Sequence, residues 1–155
     1  MYTNGKTSII GGKIMYNLIM FLHVLGAIGL GFYLVLPILM RNITKLSGQA
    51  LESYLTGIYG TSRIAQYLLV IQLLTGGYLM AMNEYAIAWI ISSIGFFLVV
   101  GAISGIMNKG MKTAIKDIQA GGTGAAHLSS MRLFSIIVSI SMLIVIYFMV
   151  YPMYR

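Results

Sequence analysis

Four long apolar segments without acidic or basic side chains constrain the fold of this chain more than any other feature. They are residues 14–40, 64–83, 85–108 and 132–154, of which the last begins with Arg132 and is otherwise uncharged. A helix crosses a hydrocarbon core roughly 30 Å thick with about 20 apolar residues. Spanning strands would need alternating segments of about 10 residues, and the sequence has none. The pattern therefore predicts an all-α integral membrane four-helix bundle, a single transmembrane domain over residues 1–155.

The composition agrees with lipid as the solvent. Hydrophobic residues make up 59% of the chain and charged residues 8%, whereas soluble domains average about 45–50% and about 25%. The formal net charge is +7, but the basic residues border the apolar segments, which suits phospholipid headgroups better than a nucleic acid. The first segment is too long for a cleaved signal peptide, and we expect it to be retained. We expect a multi-pass protein of the cell membrane that contacts lipid and no nucleic acid.

The basic residues also predict which way the bundle faces. Seven of them lie in the first and third loops, three lie in the tails, and the second loop has none. The loop residues are Arg41, Lys45, Arg63, Lys109, Lys112, Lys116 and Arg132. Because loops rich in Lys and Arg stay in the cytoplasm, we expect both termini outside. Apolar residues recur at helical spacing in both loops, at 51–58 and 111–118, which predicts short amphipathic helices lying at the headgroups.

Small residues four positions apart are expected to bring the helices together, because lipid gives apolar helices no hydrophobic reason to associate. The pairs are Ala27–Gly31, Gly101–Gly105 and Ser135–Ser139. Pro37 removes one helical hydrogen bond, so we expect a kink at the end of the first span. Aromatic residues at 85–89 and 147–154 resemble the belt found at a membrane interface.

His23 is the first candidate for a functional residue. It lies nine positions after the start of the first span, hence roughly 13 Å into the membrane, where an ionisable side chain is costly and indicates function. Tyr16 and Met20 share its helical face. Gly26 and Ala27, one turn away, leave room for a flat cofactor.

Two interpretations of His23 stay open. In the first, it is an axial ligand of a b-type haem, either alone or with Met142, which lies at a similar depth when counted back from the end of the last span. His127 is a poor second ligand, because it precedes the last span and is expected near the headgroups. In the second, His23 is neutral and bonds to Gln72, Thr75 or a serine of another helix.

The second span carries a polar stripe formed by Gln72, Gly76, Leu79 and Asn83, at helical spacing. This stripe faces the bundle or lines a small wet cavity. No acidic residue lies inside a span, which argues against proton- or sodium-coupled transport. No catalytic motif is present, so the sequence leaves open whether the protein is an enzyme.

Short motifs resemble a known group of membrane proteins. Residues 22–27, LHVLGA, are similar to the opening motif of a family of small four-helix membrane proteins of unknown function, which is similar in turn to the CopD-like copper-resistance membrane domain. The close of the last span, residues 149–152, resembles the same group, and Arg41 and Arg132 fit its outline. The resemblance implies that His23 contacts a metal or haem.

Three functions remain as hypotheses. The first is a redox or electron-transfer component of a membrane complex that binds haem b at His23 and contacts a quinone. The second is a non-catalytic structural or assembly subunit, alone or as a homo-oligomer. The third is copper handling through His23 with Met20 and Met142.

Overall fold

The computed structural model describes residues 4–124, 126 and 128–154, with side chains from residue 11 onwards. Its α-helices are α1 (Asn4–Leu30), α2 (Phe32–Asn42), α3 (Gly48–Ala81), α4 (Ile87–Gln119) and α5 (Leu128–Val150). A short 3₁₀ turn, Ile43–Lys45, follows α2. Helices α1 and α2 together form the first span, so four helical segments are long and apolar enough to cross a membrane. The predicted all-α membrane bundle is confirmed.

The first span is interrupted at Gly31. The Gly31 amide donates to the Ile28 carbonyl at 3.0 Å, and the Leu34 amide donates to the Gly31 carbonyl at 3.0 Å, so one turn uses bonds three residues apart. Pro37 lies within α2, and the kink expected there stays a prediction.

This interruption sends the two halves of the first span to different neighbours. Helix α1 packs mainly against α3, whereas α2 packs mainly against α5. Helices α3, α4 and α5 pack in sequence, α3 on α4 and α4 on α5. The bundle is therefore closed at the α2 end and more open at the α1 end.

Three contacts between neighbouring helices fix how the antiparallel spans are aligned. Ser139 Oγ donates to the Leu34 carbonyl at 3.3 Å. Gln66 packs over Gly105, with its Nε2 3.6 Å from where a Cβ of residue 105 would lie, and Met131 packs over Gly110, with its Cε 3.5 Å from the corresponding position. Counting along each helix from these contacts brings one basic residue of every span to the same level. These residues are Arg41, Arg63, Lys109 and Arg132, and all four are exposed. We call this level the basic end of the bundle.

Helices α3 and α4 continue past the basic end, which corrects one prediction. The segments 51–58 and 111–118 are helical, but each is continuous with its span instead of forming a separate helix on the headgroups. Helix α3 has 34 residues and α4 has 33 residues, so each is about 50 Å long. Leu51, Leu55 and Met111 are buried in the core, and Gln119 Nε2 donates to Glu52 Oε1 at 2.7 Å. The two apolar faces pack within the protein, which removes their need for lipid.

The small residues pack in a different pattern from the predicted one. Helices α1 and α3 approach closely at Gly26 and Gly29, where an added Cβ would collide with Gln72 and Leu68. The Ser135–Ser139 pair does lie at a helix contact, through the bond from Ser139 to α2. A Cβ added at Gly101 would meet nothing within 4 Å, so the prediction that Gly101 brings helices together is wrong.

Candidate ligand-binding pocket

A pocket of about 310 Å³ opens between the helices at the end of the bundle away from the basic end. All four spans contribute to its wall. The lining residues are Tyr16, Met20, His23, Gln72, Leu73, Gly76, Gly77, Leu79, Met80, Asn83, Tyr85, Trp89, Ser93, Ile94, Phe97, Val145, Met149, Pro152 and Tyr154. The pocket exists because α1 stays with α3 and does not follow α2 toward α5. We call it the aromatic-end pocket.

His23 lies in the wall of this pocket and ties α1 to α3. Its Nδ1 is 2.9 Å from Thr75 Oγ1, and its Nε2 is 3.0 Å from Gln72 Nε2. The ring packs over Gly76, where an added Cβ would lie 3.1 Å from His23 Cε1. The interpretation of His23 as a histidine bonded to Gln72 and Thr75 is confirmed.

The direction of each bond defines the state of the imidazole. The Thr75 hydroxyl donates to the Ile71 carbonyl at 2.8 Å. Its oxygen is therefore free to accept a hydrogen bond from the N–H at His23 Nδ1. The amide nitrogen of Gln72 is a donor only, so His23 Nε2 accepts from it. These bonds fit a neutral imidazole that carries its proton on Nδ1, with both ring nitrogens in use. A metal at Nε2 would have to displace Gln72.

The other predicted site residues separate into two groups. Tyr16 lines the pocket with His23. Gly26 is buried elsewhere, and a Cβ there would lie 2.6 Å from Gln72 Oε1, so the side chain of Gln72 fills the room expected for a flat cofactor. Ala27 is half-buried and is not part of the pocket lining.

The predicted depth of Met142 is wrong. Because Ser139 bonds to the Leu34 carbonyl, Met142 lies near the level of Gly31, roughly 12 Å deeper than His23 at helical rise. Met142 is 2% exposed and belongs to the main apolar core. The two side chains therefore do not form a His/Met ligand pair. His127 lies outside the described residues.

No group of three His, Cys, Asp or Glu side chains that could hold a metal ion occurs among the residues that the structure describes. His23 and Met20 do line the same pocket, but Met142 is not with them. The proposed copper set of His23, Met20 and Met142 is therefore not assembled.

The polar stripe of the second span was predicted to face the bundle or to line a small cavity, and in the structure it lines this pocket. All four of its residues, Gln72, Gly76, Leu79 and Asn83, line the pocket. Among the described residues, two lining side chains carry a polar atom without a hydrogen-bond partner: Ser93 Oγ, and Gln72 Oε1, which lies toward Gly26 outside the pocket lining. Both residues are more than nine-tenths buried, with exposures of 7% and 2%. Unpaired polar groups at such sites are costly, and a bound molecule can satisfy them.

Stacked aromatic rings close the outer end of the pocket. Tyr85 stacks on Trp89 with 4.5 Å between ring centroids and on Tyr154 with 5.1 Å. The Ala86 amide donates to the Met153 carbonyl at 2.8 Å, which holds the chain after α5 beside the α3–α4 loop. Burial raises the pKa of Tyr85, with a further contribution from Tyr154. Three residues of the predicted aromatic belt, Tyr85, Trp89 and Tyr154, therefore line the pocket.

A second polar cluster was not predicted from the sequence. Tyr33, Ser62 and Ser104 are fully buried in the half nearer the basic end, and the Tyr33 hydroxyl lies close to both serines without a full hydrogen bond. Asn108 lies one turn beyond Ser104, and both polar atoms of its side chain are also unpaired. The signal available in the sequence was the four-residue spacing of Ser104 and Asn108.

The chain matches no protein-family model, no curated protein and no solved structure. The similarity to the CopD-like group therefore stays a prediction.

Proposed function

We propose that this integral membrane protein binds a lipid-soluble ring compound with hydrogen-bonding oxygen atoms, the chemistry of a quinone, in the aromatic-end pocket. The observation that carries the proposal is a buried polar atom without a hydrogen-bond partner among the described residues, Ser93 Oγ, in a pocket that is otherwise largely apolar. Small-molecule sites have this character: apolar walls with a few converging polar groups that orient the ligand.

The size of the pocket supports a single ring system. Its volume of about 310 Å³ is near the lower limit of ligand pockets, about 300–1,000 Å³. Trp89 and Phe97 supply flat apolar surface for the ring. Ser93 can donate to a ring oxygen or accept from a ring hydroxyl, so it suits both the oxidised and the reduced form.

The ligand would reach the pocket from the hydrocarbon, between α1 and α5. Met20 on α1 and Met149 on α5 line the pocket and are 37% and 39% exposed, so they lie at its edge. A hydrocarbon tail attached to the ring would leave through this opening. Flexible methionine side chains adapt readily to such a tail.

Haem ligation has weaker support than ring binding. His23 Nε2 accepts from Gln72, and Gln72 also fills the space beside Gly26. A protein that binds the ring compound without catalysing a reaction on it could be a component of a redox complex. It could equally be a non-catalytic subunit that holds the ligand for other subunits of a membrane complex.

Trp89 provides a direct experiment, because it is the only tryptophan in the sequence and lines the pocket. The purified protein in lipid nanodiscs is titrated with a short-chain quinone, and the fluorescence of Trp89 is followed. We expect quenching that saturates, whereas collisions with dissolved quinone would give quenching that rises linearly. An absorption spectrum of the same sample would show a Soret band if haem were present.

Serine substitutions supply the matched comparison. Ser93→Ala removes one hydrogen bond to the ligand, worth about 1 kcal/mol, so we expect about fivefold weaker binding. Ser62→Ala is an equally buried substitution outside the pocket and should leave binding unchanged. Linear quenching in the unmodified protein, or equal effects of the two variants, would contradict the proposal.

A further inference from the structure

A second groove lies between α3 and α4 and adjoins the proposed quinone site, with which it shares Leu73 and Phe97. Its volume is about 290 Å³, and its walls are mostly aliphatic, including Val70, Leu73 and Leu98. Gly101 also lines it, and a Cβ added there would meet nothing within 4 Å. The missing side chain at Gly101 therefore leaves open space on the surface of the span. Gln66 lines the groove at the end nearest the basic end.

Both walls of the groove lead to basic side chains. On α3, Arg63 lies three residues before Gln66 and on the same face of the helix. On α4, Lys109 and Lys112 follow Gly105 by four and seven residues, which continues one face. Gly105 lies opposite Gln66, so these three cations gather where the groove meets the headgroups.

Among the described residues, the two acidic side chains near this end have hydrogen-bond partners other than these cations. Glu52 accepts from Gln119, and Asp117 accepts from the Gly124 amide at 2.8 Å. Arg63 Nη2 donates to the Tyr67 hydroxyl at 3.2 Å, and its guanidinium lies 5.8 Å from the centre of that ring, so its described partner is neutral. An anion at the headgroup level would be attracted by the three cations, each contributing about 1 kcal/mol.

We propose that this groove is a binding site for an anionic phospholipid of the adjoining leaflet. The phosphate contacts Arg63, Lys109 and Lys112, and one acyl chain lies in the groove over Gly101. The combination selects a lipid, because a free phosphate has nothing to fill the groove and an acidic soluble protein cannot enter the hydrocarbon. Basic groups at the cytoplasmic end of transmembrane helices commonly bind such headgroups.

The experiment is a titration of the full chain in detergent, followed by native mass spectrometry. The probes are phosphatidylglycerol and phosphatidylcholine with identical acyl chains. We expect phosphatidylglycerol to bind more tightly, and Arg63→Gln and Lys112→Gln each to weaken it about fivefold, the share of one basic residue. Both side chains are exposed, so these variants should fold.

Two further variants separate this site from general attraction to a basic surface. Arg132→Gln removes a charge at the same level on α5, which packs against α4 and α2, and should leave affinity unchanged. Gly101→Leu fills the groove without changing charge and should weaken binding severalfold. Equal binding of the two lipids, an Arg132→Gln effect as large as that of Arg63→Gln, or full displacement of the lipid by inorganic phosphate would overturn the proposal.

Discussion

Replacing His23 by Leu is expected to destabilise the bundle far more than a lipid-facing substitution would. His23 bonds to Thr75 at 2.9 Å and to Gln72 at 3.0 Å. Bonds between transmembrane helices contribute about 0.6 kcal/mol on average, so the loss of two costs about 1 kcal/mol. The variant also leaves the Gln72 amide buried without any partner, which adds about 1–3 kcal/mol. The expected total is about 2–4 kcal/mol of unfolding free energy.

A double-mutant cycle tests this explanation. Gln72→Leu removes the orphaned amide, so we expect His23→Leu combined with Gln72→Leu to be less destabilised than the sum of the two single variants by about 1–2 kcal/mol. The assay is equilibrium unfolding in mixed micelles, followed by circular dichroism. Ser62→Ala, about three turns from Gln72 on α3, should combine additively with His23→Leu, within about 0.5 kcal/mol.

Two results would refute the reasoning. An effect of His23→Leu below about 0.5 kcal/mol, typical of surface positions, would mean that His23 does not hold α1 to α3. Additive effects of the His23 and Gln72 substitutions would mean that the two side chains do not share a bond.

Three other predictions concern packing, ionisation and orientation. Gly26→Ala should lower stability, because its Cβ would lie 2.6 Å from Gln72 Oε1. Gly95→Ala meets nothing within 4 Å and should raise stability by up to about 1 kcal/mol through helix propensity. In thermal unfolding, the first variant should therefore have a lower unfolding temperature than the unmodified protein and the second a higher one. Because the pKa of Tyr85 is raised by burial, its contribution to stability is complete below the ordinary tyrosine pKa and is lost as pH rises through the folded value. Ultraviolet titration should therefore show late-ionising tyrosines, and Tyr85→Phe should lower their number by one. A reporter fused after Arg155 should be found outside the cell, and a cytoplasmic signal would reverse the predicted orientation.

The spans could be predicted because charge is the strongest constraint that a membrane imposes. The sequence did not predict that α3 and α4 continue past the basic end. The helical periodicity of residues 51–58 and 111–118 is the same whether the apolar face contacts lipid or another helix. The structure buries Leu51, Leu55 and Met111, which required knowing that the ends of α3 and α4 lie side by side. Helical spacing reports a buried face and does not say what covers it.

The candidate site was partly predictable for a related reason. Few polar side chains lie near the depth of His23, so Gln72 and Thr75 could be named as its partners. Met142 was misplaced because its depth was counted from the end of the chain, whereas the alignment of α5 is set by its contact with α2 through Ser139. The pocket itself depends on α1 packing against α3 while α2 packs against α5, and no pattern in the sequence indicated these different neighbours.

The measurement that tests the central claim most directly is photo-crosslinking with a quinone that carries a diazirine on its ring, followed by peptide mapping. We expect labels on pocket residues of different helices, such as Met20, Trp89 and Met149, and competition by an unlabelled quinone. Labels restricted to lipid-facing side chains such as Leu74 and Ile91, which are 70% and 66% exposed, with no competition, would contradict the existence of a specific quinone site.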